Sequence, residues 1–394
     1  MRRAGKTFFL YQCMRERLER GTPRDALVYF NFEDERLFGM EVTHLTWLLE
    51  EYYRRYPDRR DAFRVAFFFD EIQLVTGWET FVRRVLDSEK VEIFVSGSSA
   101  RLLSREIATS LRGRGTETIV YPFSFREFLQ HRGLAIPEDS HSIPKRQVSQ
   151  LVAAFREYAA TGGFPEAQGL QERDRLGLLQ GYVDFVVFRD VVERHGVGNV
   201  SALKALVRQL LAAPGGRFSV HRFSNDLRSQ GIPVAKDTLY ALLSHLEDAF
   251  LVRLLSIHTH SERQRQSNPR KAYPLDPALA LSFERTGRPN TGALLETIVA
   301  IELERRGWGT AYVTTSSGYE VDFLATRAGS PPLLVQVTAD LTDAAVKERE
   351  CRALLEASLE HSSARPLLLT GTSAPSVEGV PTLPIWRWLL APAD

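Results

Sequence analysis

The sequence predicts an α/β protein of several domains, with a parallel sheet in its N-terminal third, and three observations carry that expectation. Short apolar runs alternate with helical patterns: ALVYFNFED (26–34), RVAFFFDEI (64–72), VEIFVSG (91–97) and ETIVYPFS (117–124). These runs are continuously apolar, as in strands buried on both faces, and strands separated by helices imply right-handed βαβ crossovers. The 394 residues are enough for about two or three cores. The pattern also changes character twice further along, near residues 201 and 271.

Composition narrows the class. Hydrophobic residues make up 44% and charged residues 25%, the proportions of an ordinary water-soluble globular chain. No run of apolar residues is long enough to cross a membrane, and the N-terminus lacks the apolar core and cleavage site of a signal peptide. Cys13 and Cys351 are the two cysteines, so neither a disulfide framework nor a cysteine-rich zinc site is expected, and a reducing cytosol suits the chain. The expected localisation is cytoplasmic, without membrane contact.

Residues 1–130 hold the four strand-like runs. Residues 131–200 read as mostly helical, a lid or linker, broken by IPEDSHSIP and by a turn at TGGFPEA. Over 201–270 the order becomes helix (SALKALVRQLLAAP), shorter helix (SVHRFSNDLRSQG), amphipathic helix (VAKDTLYALLSHLEDAFLV) and a β-like RLLSIH. That order describes a winged helix-turn-helix. SERQRQSNPRK (261–271) reads as an exposed basic loop or wing. Over 201–271 eleven Lys/Arg stand against five Asp/Glu, a modest basic footprint compatible with DNA. Residues 271–394 bring a helix (GALLETIVAIELERRGW), three strands (TAYVTT, YEVDFLATRAG, PPLLVQVTAD), a helix from 342 and a final strand, RPLLLTG.

Four constellations in the first region bear chemistry. Gly5-Lys6-Thr7 is the second half of a phosphate-binding P-loop, in which Lys6 would reach the β/γ-phosphates of ATP and the Thr7 hydroxyl would ligate Mg²⁺. A lone GKT can equally be an accident of a basic N-terminus. Asp70 and Glu71 end an apolar strand, where open α/β sheets bind ligands; Asp70 would hold Mg²⁺ through water and Glu71 would polarise the attacking water. Two acids closing a strand are also common in turns, yet an apolar strand ending in Asp-Glu some way after GKT is what a Walker B strand looks like. Ser96, Ser98 and Ser99 close the next strand, poised either to sense the γ-phosphate or to cap a helix. Arg112 and Arg114 flank a glycine before the fourth run, as an arginine finger or as surface residues.

Together, MRRAGKTFFLYQ, VAFFFDEIQLVTGWE, VEIFVSGSSARLL, LRGRGTETIVYPFSFREFL and YAATGGFPEA resemble prokaryotic AAA-type P-loop ATPases joined to a C-terminal region of unknown function. The likeness continues through KAYPLDPAL, GALLETIVAIEL, YEVDFL, LLVQV and KEREC, in the same order. It implies that Gly5, Lys6 and Thr7 bind phosphate and Mg²⁺, that Asp70 and Glu71 form Walker B, and that Arg112 or Arg114 acts in trans within a homo-oligomer. The sequence departs from the family at one place. The first P-loop glycine would fall at position 0, and the strand carrying it is missing. The expectation is a mis-assigned start or truncated reading frame, an N-terminal segment that folds poorly, and weak or absent ATP binding by residues 1–394.

The last region resembles a restriction-endonuclease-like core, whose carboxylates on adjacent strands bind Mg²⁺ while a lysine orients the attacking water. Glu296 on the first helix, Glu320 and Asp322 on a strand, and Gln336 fall in the expected order. Thr338 stands where the lysine belongs, and Lys347 on the following helix is a possible substitute. The site therefore reads as degenerate, a nuclease-like fold kept for interaction or DNA binding. His258 and His260 read as solvated side chains beside the basic loop, and Trp78, Trp386 and Trp388 as filling core or domain seams.

The leading functional reading is an ATP- and Mg²⁺-dependent ATPase that couples nucleotide state to a winged-helix and nuclease-like module acting on DNA. The alternatives are an ATP-gated nuclease and a non-enzymatic DNA-binding regulator with a vestigial ATP site.

Overall fold

The computed structural model describes residues 3–60, 64–97, 115–137, 143–371, 377 and 379–392. The chain divides into two compact units, Met1–Tyr121 and Pro122–Asp394. The first runs α1 (Lys6–Glu19), β1 (Leu27–Asn31), α2 (Val42–Arg55), β2 (Val65–Asp70), α3 (Trp78–Ser88) and β3 (Val91–Val95). Its sheet has the order β1–β2–β3 with both pairings parallel, as the apolar runs require.

Every residue of β2 is buried, and strand periodicity divides them between two faces. Val65, Phe67 and Phe69 pack with Tyr52 of α2 and with Trp78 and Phe81 of α3. Ala66 and Phe68 turn the other way, against Leu10 of α1. Each buried Phe contributes about 2 kcal/mol of transfer free energy. The same alternation puts Asp70, two residues beyond Phe68, on the α1 face. The hydrophobic register of β2 thus aims its terminal carboxylate at the start of α1.

The fourth expected strand does not form: residues 117–121 carry no strand pairing. Pro122 has no amide to give a ladder, and the Phe123 amide donates to the Gly163 carbonyl at 2.7 Å. At Ser124 a capping box with Glu127 starts a helix, α4 (Phe125–His131), so the run ends in a turn.

The second unit continues with α5 (Lys145–Thr161), α6 (Glu172–Phe185), α7 (Val200–Ala212), β4 (Arg217–Phe218), α8 (Val220–Ser229), α9 (Lys236–Asp248), β5 (Val252–Leu255), α10 (Glu262–Ser267), β6 (Arg270–Pro274) and α11 (Pro277–Phe283). It ends with α12 (Thr291–Arg305), β7 (Gly309–Thr314), β8 (Glu320–Arg327), β9 (Ser330–Thr338), α13 (Ala344–Glu360), β10 (Arg365–Thr370), β11 (Thr382–Pro384) and α14 (Ile385–Leu390). A small antiparallel sheet has the order β4–β6–β5, and a five-stranded mixed sheet has the order β11–β10–β9–β8–β7. RPLLLTG is therefore not the last strand: β11 adds in parallel beside it.

Two further expectations change. The segment 131–200 belongs to the second unit, where Phe128, Leu151 and Phe155 share a core with Leu295, Phe323 and Trp386. SERQRQSNPRK is not a continuous exposed loop. Ser261 caps α10 by accepting from the Gln264 amide, and Arg270 and Lys271 enter β6, where Lys271 is only 2% exposed.

The second unit also explains why TGGFPEA and KAYPLDPAL occur in one chain. Asp276 is buried, caps α11 by accepting from the Ala278 amide at 2.9 Å, and accepts from the Gly163 amide at 2.7 Å. Gly162 lies at φ +69°, and a Cβ there would sit 1.9 Å from an Asp276 oxygen. Only glycine lets the Asp276 side chain approach the 162 backbone this closely. Among the described residues no helix is long and apolar enough to cross a membrane.

Candidate functional site

The N-terminal candidates converge. Gly5, at φ 98° and ψ 14°, turns the chain into α1 in a left-handed conformation that suits glycine. Lys6 and Thr7 follow as the first two helical residues, where amides without intrahelical partners favour an anion. The Thr7 hydroxyl donates to Asp70 Oδ2 at 2.6 Å, and Lys6 Nζ lies 3.4 Å from Glu71 Oε1. Residues separated by more than sixty positions thus form one cluster.

Three side chains hold the Asp70 carboxylate. Besides Thr7, the Tyr29 hydroxyl donates to Oδ2 at 3.0 Å and the Ser96 hydroxyl donates to Oδ1. Burial, with help from Tyr11 and Asp70, raises the Tyr29 pKa, so the phenol stays a donor. Glu71 adopts φ 55° and ψ 38°, a left-handed conformation uncommon for a residue with a side chain. The turn brings the Glu71 amide to Ser96 Oγ at 3.3 Å, while Gln73 Nε2 donates to Glu71 Oε2 at 2.5 Å. A left-handed backbone that costs about 1–3 kcal/mol is kept only where surrounding contacts over-determine it.

A carboxylate and a hydroxyl sharing a hydrogen bond at a helix N-terminus are hard oxygen donors of the kind Mg²⁺ takes, so the residues present fit Mg²⁺ and a phosphate chain. Ser98, Ser99, Arg112 and Arg114 lie outside the described residues. Tyr29 and Gln73 were not singled out by motif reasoning. For Tyr29 the signal was its place on the strand beside β2, two residues before Asn31, which pairs with Asp70.

A second cluster lies in the second unit. Glu296 on α12 and Glu320 and Asp322 on β8 come together around Lys271 of β6. Its Nζ stands 2.7 Å from Glu320 Oε1, 2.9 Å from Asp322 Oδ1 and 3.7 Å from Glu296 Oε2. Arg217 Nε donates to Glu320 Oε2 at 2.6 Å, the Tyr273 hydroxyl donates to Glu296 Oε2 at 3.0 Å, and the Val337 amide donates to Asp322 Oδ2 at 3.0 Å. Burial and the neighbouring Asp322 charge push Glu296 up to about 8. Burial also raises Asp322. Glu320 goes the other way: burial opposes its charge, but Lys271 and Arg217 outweigh that and hold it below the usual range.

Gln336 is fully engaged elsewhere. Its Oε1 accepts from the Asp322 amide at 3.1 Å, and its Nε2 donates to Glu350 at 2.6 Å. Thr338 donates to the Asp340 carbonyl. Lys271, and not Lys347, supplies the ammonium at the carboxylates. As placed here, with Lys271 among them, these carboxylates form no metal-holding group, and among the described residues no other three or more His, Cys, Asp or Glu side chains do, His258 and His260 included.

Residues 1–129 match a family described as an AAA domain, and residues 152–290 match a domain of unknown function, DUF8612. The uncharacterized protein MJ1544 of Methanocaldococcus jannaschii is 32% identical over 406 residues, covering 99% of this chain and 87% of that protein. An uncharacterized protein of Haemophilus influenzae is 30% identical over 393 residues, covering 99% and 92% of the two chains. Among solved structures, a Walker-type ATPase of Pyrococcus abyssi aligns over 72% of this chain and 89% of its own, at 15% identity and a TM-score of 0.41.

Proposed function

This chain belongs to the family of MJ1544, with an AAA domain at its N-terminal end, and on that premise we propose, against the expectation of weak or absent binding drawn from the incomplete P-loop, that it binds and hydrolyses ATP with Mg²⁺. The observation that carries the reading is the pairing of Thr7 with Asp70 and of Lys6 with Glu71. Lys6 and the α1 amides would hold the β- and γ-phosphates, and Thr7 and Asp70 would hold Mg²⁺, which when bound offsets the phosphate charge. Lys6 engages Glu71 through a contact that phosphate would compete for. Glu71, once free of Lys6, accepts the proton of the attacking water, and Gln73 fixes which oxygen faces it. Arg112 or Arg114 would act in trans in a homo-oligomer.

The product of this cycle is a change of state in the second unit. The order α7–β4–α8–α9–β5–α10–β6, with its small antiparallel sheet, supports a winged helix-turn-helix, and exposed Arg263 and Arg265 on α10 support DNA as its partner. The order α12–β7–β8–β9–α13–β10 supports a nuclease-like core used for docking, not for cutting. Two cysteines without a disulfide fit a cytosolic protein.

The test is ATP turnover at millimolar nucleotide with Mg²⁺. Lys6→Ala and Glu71→Gln each abolish it under this reading, and turnover unchanged in both would sink it.

A further inference from the structure

The carboxylate cluster of the second unit holds a cation already, one that the chain itself supplies. Lys271 reaches it from β6, in a different sheet and 51 residues before Asp322. Its side chain is 3% exposed, and its nitrogen touches three carboxylates borne by two further elements. Glu320 and Asp322 lie within hydrogen-bond distance of this ammonium, and Glu296, at 3.7 Å, adds a charge contact.

The carboxylates have further donors. Arg217 takes Glu320 Oε2 and the Val337 amide takes Asp322 Oδ2, which leaves Glu320 Oε1 and Asp322 Oδ1 facing Nζ, while the Tyr273 hydroxyl shares Glu296 Oε2 with Lys271. A divalent ion bound by these carboxylates would need ligands at roughly 2.0–2.6 Å, in space that Nζ fills. The loop before β4 closes the cluster further. Gly215 lies at φ +70°, its amide donates to the Ala272 carbonyl at 2.9 Å, and a Cβ there would meet Glu296 Oε2 at 2.7 Å. Three contacts therefore run from the β4–β6–β5 module to this cluster: Lys271, Arg217 and Tyr273.

We propose that Lys271 occupies the cation position of the Glu296–Glu320–Asp322 cluster, so that an intramolecular ammonium replaces a divalent ion and locks the small antiparallel sheet onto the five-stranded one. The proposal rests on the nuclease-like reading of this domain and is independent of ATP hydrolysis. The lock makes the cluster a joint between two modules, and it closes the position that metal-dependent hydrolysis would need. Such a joint transmits a displacement of β6 directly to β8.

Mn²⁺ binding, followed by electron paramagnetic resonance on the nucleotide-free full chain, tests this with wild type, Asp322→Asn, Lys271→Ala and the double variant. Wild type and Asp322→Asn should bind the same number of Mn²⁺ equivalents. Lys271→Ala should gain one equivalent, with a higher Tm in Mn²⁺ than in chelator, and the double variant should lose that gain. An equivalent present in wild type and lost in Asp322→Asn overturns the lock while leaving the nuclease-like reading standing. A folded Lys271→Ala that gains no equivalent overturns the cation position itself, and with it the nuclease-like reading. Should Lys271→Ala fail to fold, the comparison of wild type with Asp322→Asn still decides.

Discussion

Replacing Asp276 by Asn should make the second unit more stable at alkaline pH and less stable at acidic pH. The Asp276 carboxyl is buried and accepts two backbone amides, Gly163 at 2.7 Å and Ala278 at 2.9 Å. Burial nevertheless outweighs those bonds and raises its pKa from 3.8 to about 6. The folded protein therefore holds this proton more tightly than the unfolded chain. That contribution is complete below pH 3.8, declines as the pH rises through about 6, and is gone above it. The gap between 3.8 and about 6 corresponds to about 3 kcal/mol. Asparagine stays neutral and escapes that loss, but its NH₂ cannot accept where either form of the carboxyl presents a second oxygen, so one of the two backbone amides goes unmet, which costs about 1 kcal/mol. The variant should be about 1 kcal/mol less stable than wild type near pH 4 and about 2 kcal/mol more stable near pH 8. Urea unfolding at both pH values measures this, with hydrogen exchange assigning the transition to the second unit. Equal destabilisation at the two pH values would refute the reasoning, because it would mean the carboxylate is ionised throughout and held by its amides.

Removing the Tyr29 hydroxyl with Tyr29→Phe takes one donor from Asp70; the Mg²⁺ concentration for half-maximal ATP turnover should rise roughly tenfold, as losses around metal ligands do, and an unchanged Mg²⁺ dependence would contradict its positioning role. Duplex DNA should bind with an affinity that falls steeply with salt. The double variant Arg263→Glu/Arg265→Glu should weaken that binding for all sequences alike in fluorescence anisotropy, and equal binding by wild type and variant would remove α10 from the interface.

Much of the first unit was legible because its information is local. Phe67, Phe68 and Phe69 lie in a run that only a strand covered on both faces tolerates, and Asp70-Glu71 mark where that strand ends. ETIVYPFS looked equally strand-like, but a ladder needs a neighbour, and the Phe123 amide found Gly163 instead. Lys271 escaped notice for a different reason. Motif spacing looked for a lysine two residues beyond Gln336, and a basic, proline-containing stretch reads as solvated. What buries Lys271 is the register of β6 against β4 and β5, which sets its side chain against carboxylates from another sheet. Tyr29 and Gln73 likewise act through neighbours brought in by the fold, and neither belongs to a phosphate-binding motif.

The central claim, that Glu71 acts as the base of an ATP site built with Lys6, Thr7 and Asp70, is tested most directly by one comparison. ATP turnover of Glu71→Gln is measured against wild type at millimolar ATP and Mg²⁺, with nucleotide binding measured alongside. The account predicts that binding is kept while turnover falls roughly 10²- to 10⁴-fold, the usual share of a general base. Turnover by Glu71→Gln equal to that of wild type would contradict it.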